Sequence, residues 1–193
     1  MKKTLQILSF IPFIKRLNNR RYYATGFGTY LINSFFKKIL GINRKGNYLL
    51  HFTSRVNSPK KLIVEKGVNN STVYLSLATS GGCYYQAING IEIGEGTIWS
   101  YNCSFISSNH SYADLSMHLK SKGIKIGKNV WLGSNCVVLP SVSIGDFAIV
   151  GAGSVVTKNI PNYSIAVGNP AKVIAKRCPK CLNKIKINEN CNC

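Results

Sequence analysis

The sequence predicts an all-β fold: a solenoid of hexapeptide repeats, with a short N-terminal helical segment, one loop insertion and a Cys-rich C-terminal tail. The first observation is a period of six. An aliphatic residue returns at Ile126, Leu132, Val138, Ile144, Val150 and Val156. The second is a companion series four residues on, apolar or small: Val130, Cys136, Val142, Ala148, Ser154 and Ile160. The third is that Gly follows the aliphatic at four steps: Gly127, Gly133, Gly145 and Gly151. A helix repeats at about 3.6 and a lone strand at about 2, so neither explains this register. Very short strands joined by turns do, with inward residues stacking coil on coil. Glycine suits such turns because it reaches positive φ without a Cβ clash.

The elements follow in chain order. Leu5, Leu8, Ile11, Ile14 and Leu17 recur every third residue, interrupted at Pro12, and Tyr30 to Leu40 has a similar rhythm. Both read as short helical pieces in a basic cap over residues 1–48, packing on the start of the solenoid or lying at a membrane interface. Residues 49–92 are degenerate early coils with β-rich runs at Leu49 to Val56, Leu62 to Val64 and Thr72 to Leu77. Clear hexads begin at Ile93. They stop at His110 for an insertion over 111–123, and resume from Ile124 to a non-repetitive exit marked by Pro161 and Pro170. The repeat domain thus spans 49–168, and 169–193 is an extension.

With 193 residues, 45% hydrophobic and 16% charged, the chain has a globular composition and room for one core. No run reaches the roughly 20 apolar residues of a membrane span. The N-terminus lacks a small-x-small cleavage site, which points to a cytoplasmic chain, facing the inner side of the membrane if it meets one. The net charge of +19 is concentrated early, with Glu65 the lone acid of the first 66 residues. That favours anionic lipid or an acidic glycan as a contact, unless it reflects compositional bias alone. No nucleic-acid-binding motif accompanies the charge. In the tail, Cys178-Pro179-Lys180-Cys181 and Cys191-Asn192-Cys193 have the spacing of a structural four-thiolate zinc site, the alternative being an oxidation-prone tail.

The hexads, the Asn109-His110 pair before the insertion, and the ending Ala166-Val167-Gly168-Asn169-Pro170-Ala171-Lys172 resemble the hexapeptide-repeat acyltransferase superfamily over about 49–176. The likeness is nearest to its O-acetyltransferases of sugars and surface polysaccharides, and the Tyr84-Tyr85-Gln86-Ala87 run is similar to the polysaccharide branch. The resemblance implies a left-handed parallel β-helix, a homotrimer with its active site between subunits, and acetyl-CoA as co-substrate.

It also assigns roles. His110 is the expected general base: a sugar hydroxyl is a poor nucleophile near neutral pH, and imidazole titrates in the right range to take its proton. Asn109, four residues after Phe105, falls at an inward-type position of the repeat, and orders the turn or contacts the acceptor. The Ser134 amide is the expected oxyanion donor. Gly133, Ser134, Gly151, Ala152 and Gly153, then Thr157 and Lys158, match the pantetheine-binding edge. Lys158 and Lys172 match the basic positions for CoA phosphates, with Lys176 and Arg177 nearby. Trp131 stands beside the cofactor or packs between subunits. Glu92, Glu95 or a carbonyl orients the imidazole. Cys103 and Cys136 fall on the inward series and read as core. His118 and Asp114 read as exposed loop residues, and His51 as structural.

The leading function is therefore an acetyl-CoA-dependent O-acetyltransferase of a saccharide hydroxyl. The alternatives are transfer to an amino sugar, serine or xenobiotic, and a non-catalytic β-helix scaffold. A β-helical carbonic anhydrase needs three His ligands from adjacent coils, and of His51, His110 and His118 the last lies outside the hexads.

Overall fold

A computed structural model describes residues 25–67, 71–187, 189 and 191. The helical reading of residues 5–17 lies outside them. The first element is α1 (Phe27–Lys38), which closes on the basic pair Lys37 and Lys38. Next come β1 (Arg55–Val56), a single 3-10 turn (Pro59–Lys61), β2 (Leu62–Val64) and α2 (Ser71–Thr79). The predicted strand at Thr72 to Leu77 is therefore helical: this stretch replaces the third side of the first coil. Its Ser76 Oγ accepts the Trp99 N–H and the Oγ of Ser80, the residue after it, donates to the Trp99 carbonyl, which satisfies the first strand of the sheet behind it.

From there the chain turns steadily through three sides. The strands are β3 (Tyr84–Gln86), β4 (Ile91–Ile93), β5 (Ile98–Trp99), β6 (Ser104–Ile106), β7 (Ile124–Ile126), β8 (Trp131–Leu132), β9 (Val137–Val138), β10 (Ser143–Ile144), β11 (Ile149–Val150), β12 (Val155–Val156) and β13 (Ser164–Val167). The first sheet is β1-β3-β6-β9-β12 and the second β2-β4-β7-β10. The third runs β5-β8-β11-β13 and continues into antiparallel β14 (Lys172–Arg177) and β15 (Lys184–Ile185). All other pairings are parallel, and consecutive strands fall in different sheets, so the fold is a three-sided parallel β-solenoid. Lys125 pairs with Ser143, Trp131 with Ile149 and Val137 with Val155, each one coil of three hexads apart.

Both sequence series point inward. Leu132, Val138, Ile144, Val150 and Val156 are buried, as are Val130, Cys136, Val142, Ala148 and Ser154. Each large aliphatic so buried contributes about 1.5–3 kcal/mol. The earlier coils hold an aromatic cluster instead. Phe105 stacks on Tyr85 with ring centroids 5.1 Å apart, and the Trp99 indole N–H donates to the Tyr85 hydroxyl at 2.8 Å.

The glycines act differently from the expectation. Gly127, Gly133, Gly145 and Gly151 have ordinary φ; their reason is close approach between coils. A Cβ on Gly133 would lie 2.5 Å from the Ala152 backbone N, and one on Gly145 2.5 Å from the Asn162 backbone N. Positive φ falls two residues later, at Asn129, Asn135, Ser141, Phe147 and Gly153. Asn tolerates that region best among non-glycine residues.

Helix α1 is fastened by a buried amide. Asn33, 1% exposed, donates to the Ala78 carbonyl at 2.8 Å and accepts the Phe52 N–H at 3.0 Å. Asn33→Leu strands both backbone groups. It is expected to lower stability by about 1–3 kcal/mol in urea unfolding; a loss below about 0.5 kcal/mol would show that water replaces the amide.

Candidate active site

The insertion starts where the first sheet ends. Beyond β6 the chain turns through buried Ser107 and Ser108. Gln86 Oε1 accepts the Ser108 N–H at 2.9 Å. Asn89 clamps the loop base by donating to the carbonyls of Ser107 and Leu119 and to Ser121 Oγ. Ser108 Oγ also donates to the Leu119 carbonyl at 2.8 Å. Two neighbouring serines fill the interior here, so Asn109, expected to face inward, is exposed.

The loop then folds back as a tight hairpin. Leu119 N–H donates to the Asn109 carbonyl and Ser111 N–H to the Met117 carbonyl, which sets His110 opposite His118. The two imidazoles lie 4.3 Å apart between centroids. Asp114 closes the tip: its Oδ1 accepts from the backbone and hydroxyl of Ser116, and these bonds hold its carboxyl below the usual range. The tip so formed presents the Leu115 carbonyl to His110 Nδ1 in a short hydrogen bond. A carbonyl only accepts, so Nδ1 carries the proton and Nε2 is left with its lone pair. An exposed imidazole held in that tautomer can accept a proton from a hydroxyl.

Of the groups expected to orient His110, the two acids are engaged elsewhere. Glu95 pairs with Lys128 at 3.4 Å. Glu92 lies on the outer face of β4 in a cleft of about 540 Å³ that it shares with Glu65, Lys125, Lys128 and Asp146. The backbone carbonyl, the third option, performs the task. Sequence reasoning missed Leu115, while His118 and Asp114, read as exposed loop residues, are exposed in the loop. Asp114 two residues before Ser116, a common turn signature, was the available sign of an ordered loop.

The other candidates fall into two groups. Gly133, Ser134, Gly151, Ala152 and Gly153 gather at the corner where the third side leads into the first. There Ser134 Oγ donates to Ser100 Oγ at 2.7 Å, and the Ser134 carbonyl accepts the Gly153 N–H at 2.8 Å. Trp131 is on the outer face of β8, 51% exposed, between Ile98 and Ile149. Exposed Lys172 opens β14 beside this corner, paired with Val167. Exposed Thr157 and Lys158 instead follow β12, at the end of the first sheet that also carries His110. His110 and Ser134 thus sit at opposite ends of that sheet's parallel strands, and one chain does not bring them together.

The remaining candidates are structural. His51 Nδ1 lies 2.8 Å from Thr53 Oγ1, and burial pushes its imidazole down. Tyr85 and Ala87 of the run that resembled the polysaccharide branch are fully buried core. Cys103 is buried, its Sγ 3.2 Å from the Gly133 carbonyl. Hydrogen bonding to Cys136 and Cys83, and then burial, push its thiol up, which disfavours the nucleophilic thiolate.

Residues 123–158 match the family described as bacterial transferase hexapeptide (six repeats). A Staphylococcus aureus (strain MRSA252) protein named as an acetyltransferase is 43% identical over 100 residues, 49% of either chain. A Schizosaccharomyces pombe protein so named is 37% identical over 100 residues, 49% of this chain and 47% of its own. The chain spans about half the length of the relatives it matches. Among solved structures, the hexapeptide-repeat acetyltransferase of Vibrio cholerae O1 biovar eltor, in complex with acetyl coenzyme A, superposes over 87% of this chain and 91% of its own. Its TM-score is 0.55 at 19% identity, a likeness of fold.

Proposed function

We propose that the chain is an acetyl-CoA-dependent O-acetyltransferase of a saccharide hydroxyl, such as that of a capsule, O-antigen or other surface polysaccharide. The observation that carries this reading is the short contact of His110 Nδ1 with the Leu115 carbonyl. With Nδ1–H held by the Leu115 carbonyl, Nε2 takes the proton of an acceptor hydroxyl. The freed oxygen attacks the thioester carbonyl and a C–O bond forms. The resulting oxyanion is met by a backbone N–H, that of Ser134 in this reading. The C–S bond then breaks, and the imidazolium returns its proton to the departing thiolate. No acyl-enzyme intervenes.

The separation of His110 from Ser134 supports a homotrimer of left-handed β-helices, with His110 and Asn109 from one subunit facing the glycine corner, Trp131 and Lys172 of the next. Acetyl-CoA lies along that edge, its phosphates between Lys172 of that subunit and Lys158 of the subunit that supplies His110. Among the described residues no helix is long and apolar enough to cross a membrane. Peripheral contact with anionic membrane or acidic glycan forms part of the proposal. It is supported by the +19 charge and by the exposed Phe27, Leu31, Ile32 and Phe35 of α1.

Calorimetry with acetyl-CoA tests the donor without knowledge of the acceptor. Micromolar binding is expected. It should weaken by roughly 10²- to 10⁴-fold in a Lys158→Ala, Lys172→Ala double variant, because each of the two charge-assisted contacts contributes about 1.5–3 kcal/mol. No binding by folded, trimeric wild type would overturn the reading and leave a scaffold. With binding secured, saccharides, amino sugars and serine as acceptors separate O- from N-transfer.

A further inference from the structure

We propose that Cys178, Cys181 and Cys191 hold a zinc ion, and that this knuckle locks the C-terminal hairpin over the open end of the third sheet. The site is independent of the acetyl-transfer reading. It sits on the turn that joins β14 to β15. That turn is closed by the Cys178 N–H on the Asn183 carbonyl at 2.9 Å and the Leu182 N–H on the Cys178 carbonyl at 2.8 Å, with Leu182 at φ 59°. So tight a turn carries Cys178 and Cys181 to the same side. The Lys180 N–H points at Cys178 Sγ from 3.4 Å, a donor that favours sulfur as the anion.

The chain then returns Cys191 to the same place. The three Sγ atoms all lie within 4.8 Å of one another, Cys181 and Cys191 3.4 Å apart. A zinc–sulfur distance of about 2.3 Å in a tetrahedron sets sulfurs about 3.8 Å apart, inside that range. A disulfide needs about 2.05 Å, so Cys181 and Cys191 at 3.4 Å are not joined to each other. Cys178 is 2% exposed, so the first ligand is already shielded from water. All-sulfur donors select zinc over hard cations such as magnesium or calcium. Three thiolates around Zn²⁺ leave a charge of −1, and Lys176, Arg177, Lys180 and Lys184 flank the knuckle to offset it. Cys193, expected from its spacing as a fourth thiolate, lies outside the described residues.

The placement gives the ion its task. β14 and β15 cover β13, the last parallel strand of the third sheet, whose edge would otherwise be open for pairing. Arg177, the residue before the knuckle, donates to the Phe147 and Leu182 carbonyls, so it ties solenoid and turn together.

Elemental analysis of the full chain, purified under reducing conditions, is expected to return about one zinc per chain. Cys181→Ser and Cys191→Ser should each lose it. In case the variants misfold, the reduced, metal-free wild type is titrated with Co²⁺. Visible absorption of tetrahedral cobalt thiolate, saturating at one equivalent, is expected. No metal with no such spectrum, iron in place of zinc, or a Cys181–Cys191 disulfide in the freshly isolated chain would overturn the proposal.

Discussion

His110→Ala lowers the rate of acetyl transfer by about 10²- to 10⁴-fold, the contribution of a placed general base, and leaves acetyl-CoA binding within about twofold. Two consequences of the hairpin make this more specific. First, the imidazole is held at Nδ1 by the Leu115 carbonyl, which Asp114 and Ser116 position. Asp114→Ala should therefore reduce the rate through a loosened loop, with kcat affected more than acetyl-CoA affinity. Second, the Asp114 carboxyl is held below its usual range by Ser116. A depressed carboxyl contributes above its unfolded pKa, and the contribution is lost as pH falls through the folded value. Loss of loop order by this route thus begins only below the ordinary carboxylate range. Steady-state rates of His110→Ala and Asp114→Ala, set beside calorimetry of the same samples, check both. A His110→Ala enzyme within tenfold of wild type would exclude proton abstraction by this residue.

The solenoid was legible because its period is a property of composition at fixed spacing: Leu132, Val138 and Ile144 face inward for the same reason that they recur. The first coil was legible in part: the runs ending at Val56 and spanning Leu62 to Val64 hold β1 and β2, but the third side was misread. Thr72 to Leu77 is apolar and β-rich in composition, yet it is helical, since a short apolar run fits a buried helix as well as a strand. The glycine series was recognised and its cause mistaken. From one coil, Gly133 is a turn residue; that its Cβ would strike Ala152 appears only once the next coil is stacked on it. The candidate site divides in the same way. His110 stands at a repeat boundary, where the hexads visibly stop. Its orientation depends on Leu115, where a backbone carbonyl acts and residue type carries no signal. His118 became a partner only when the hairpin closed. Asn109 was placed inward by extending the hexad one step too far; Ser107 and Ser108 end the register first.

Phe105→Ala is expected to lower stability by about 3–5 kcal/mol, the range for truncating a fully buried aromatic. Three features put it in that range. The ring is 0% exposed and stacks on Tyr85 at an interplanar angle of 4°. It also meets Trp99 edge-on at 5.9 Å. Its neighbours cannot collapse freely into the space, because Trp99 is bound through its indole N–H to the Tyr85 hydroxyl and through its backbone to Ser76 of α2 and to Ser80, the residue after it. A rigid wall leaves a cavity, and cavities raise the cost beyond the transfer term. Tyr85→Phe removes only the hydroxyl and leaves the Trp99 N–H unpaired in the core, at about 1–3 kcal/mol. The two changes touch one cluster, so their double variant should depart from additivity by more than about 0.5 kcal/mol. The effect also reaches the site: Phe105 lies in β6, whose next residues, Ser107 and Ser108, anchor the base of the His110 loop. Thermal inactivation of transfer should therefore move down with the unfolding midpoint in Phe105→Ala. A loss below about 1 kcal/mol in chemical denaturation would mean that Tyr85 and Trp99 repack, and that the aromatic cluster is a soft filling rather than a fixed floor under the loop.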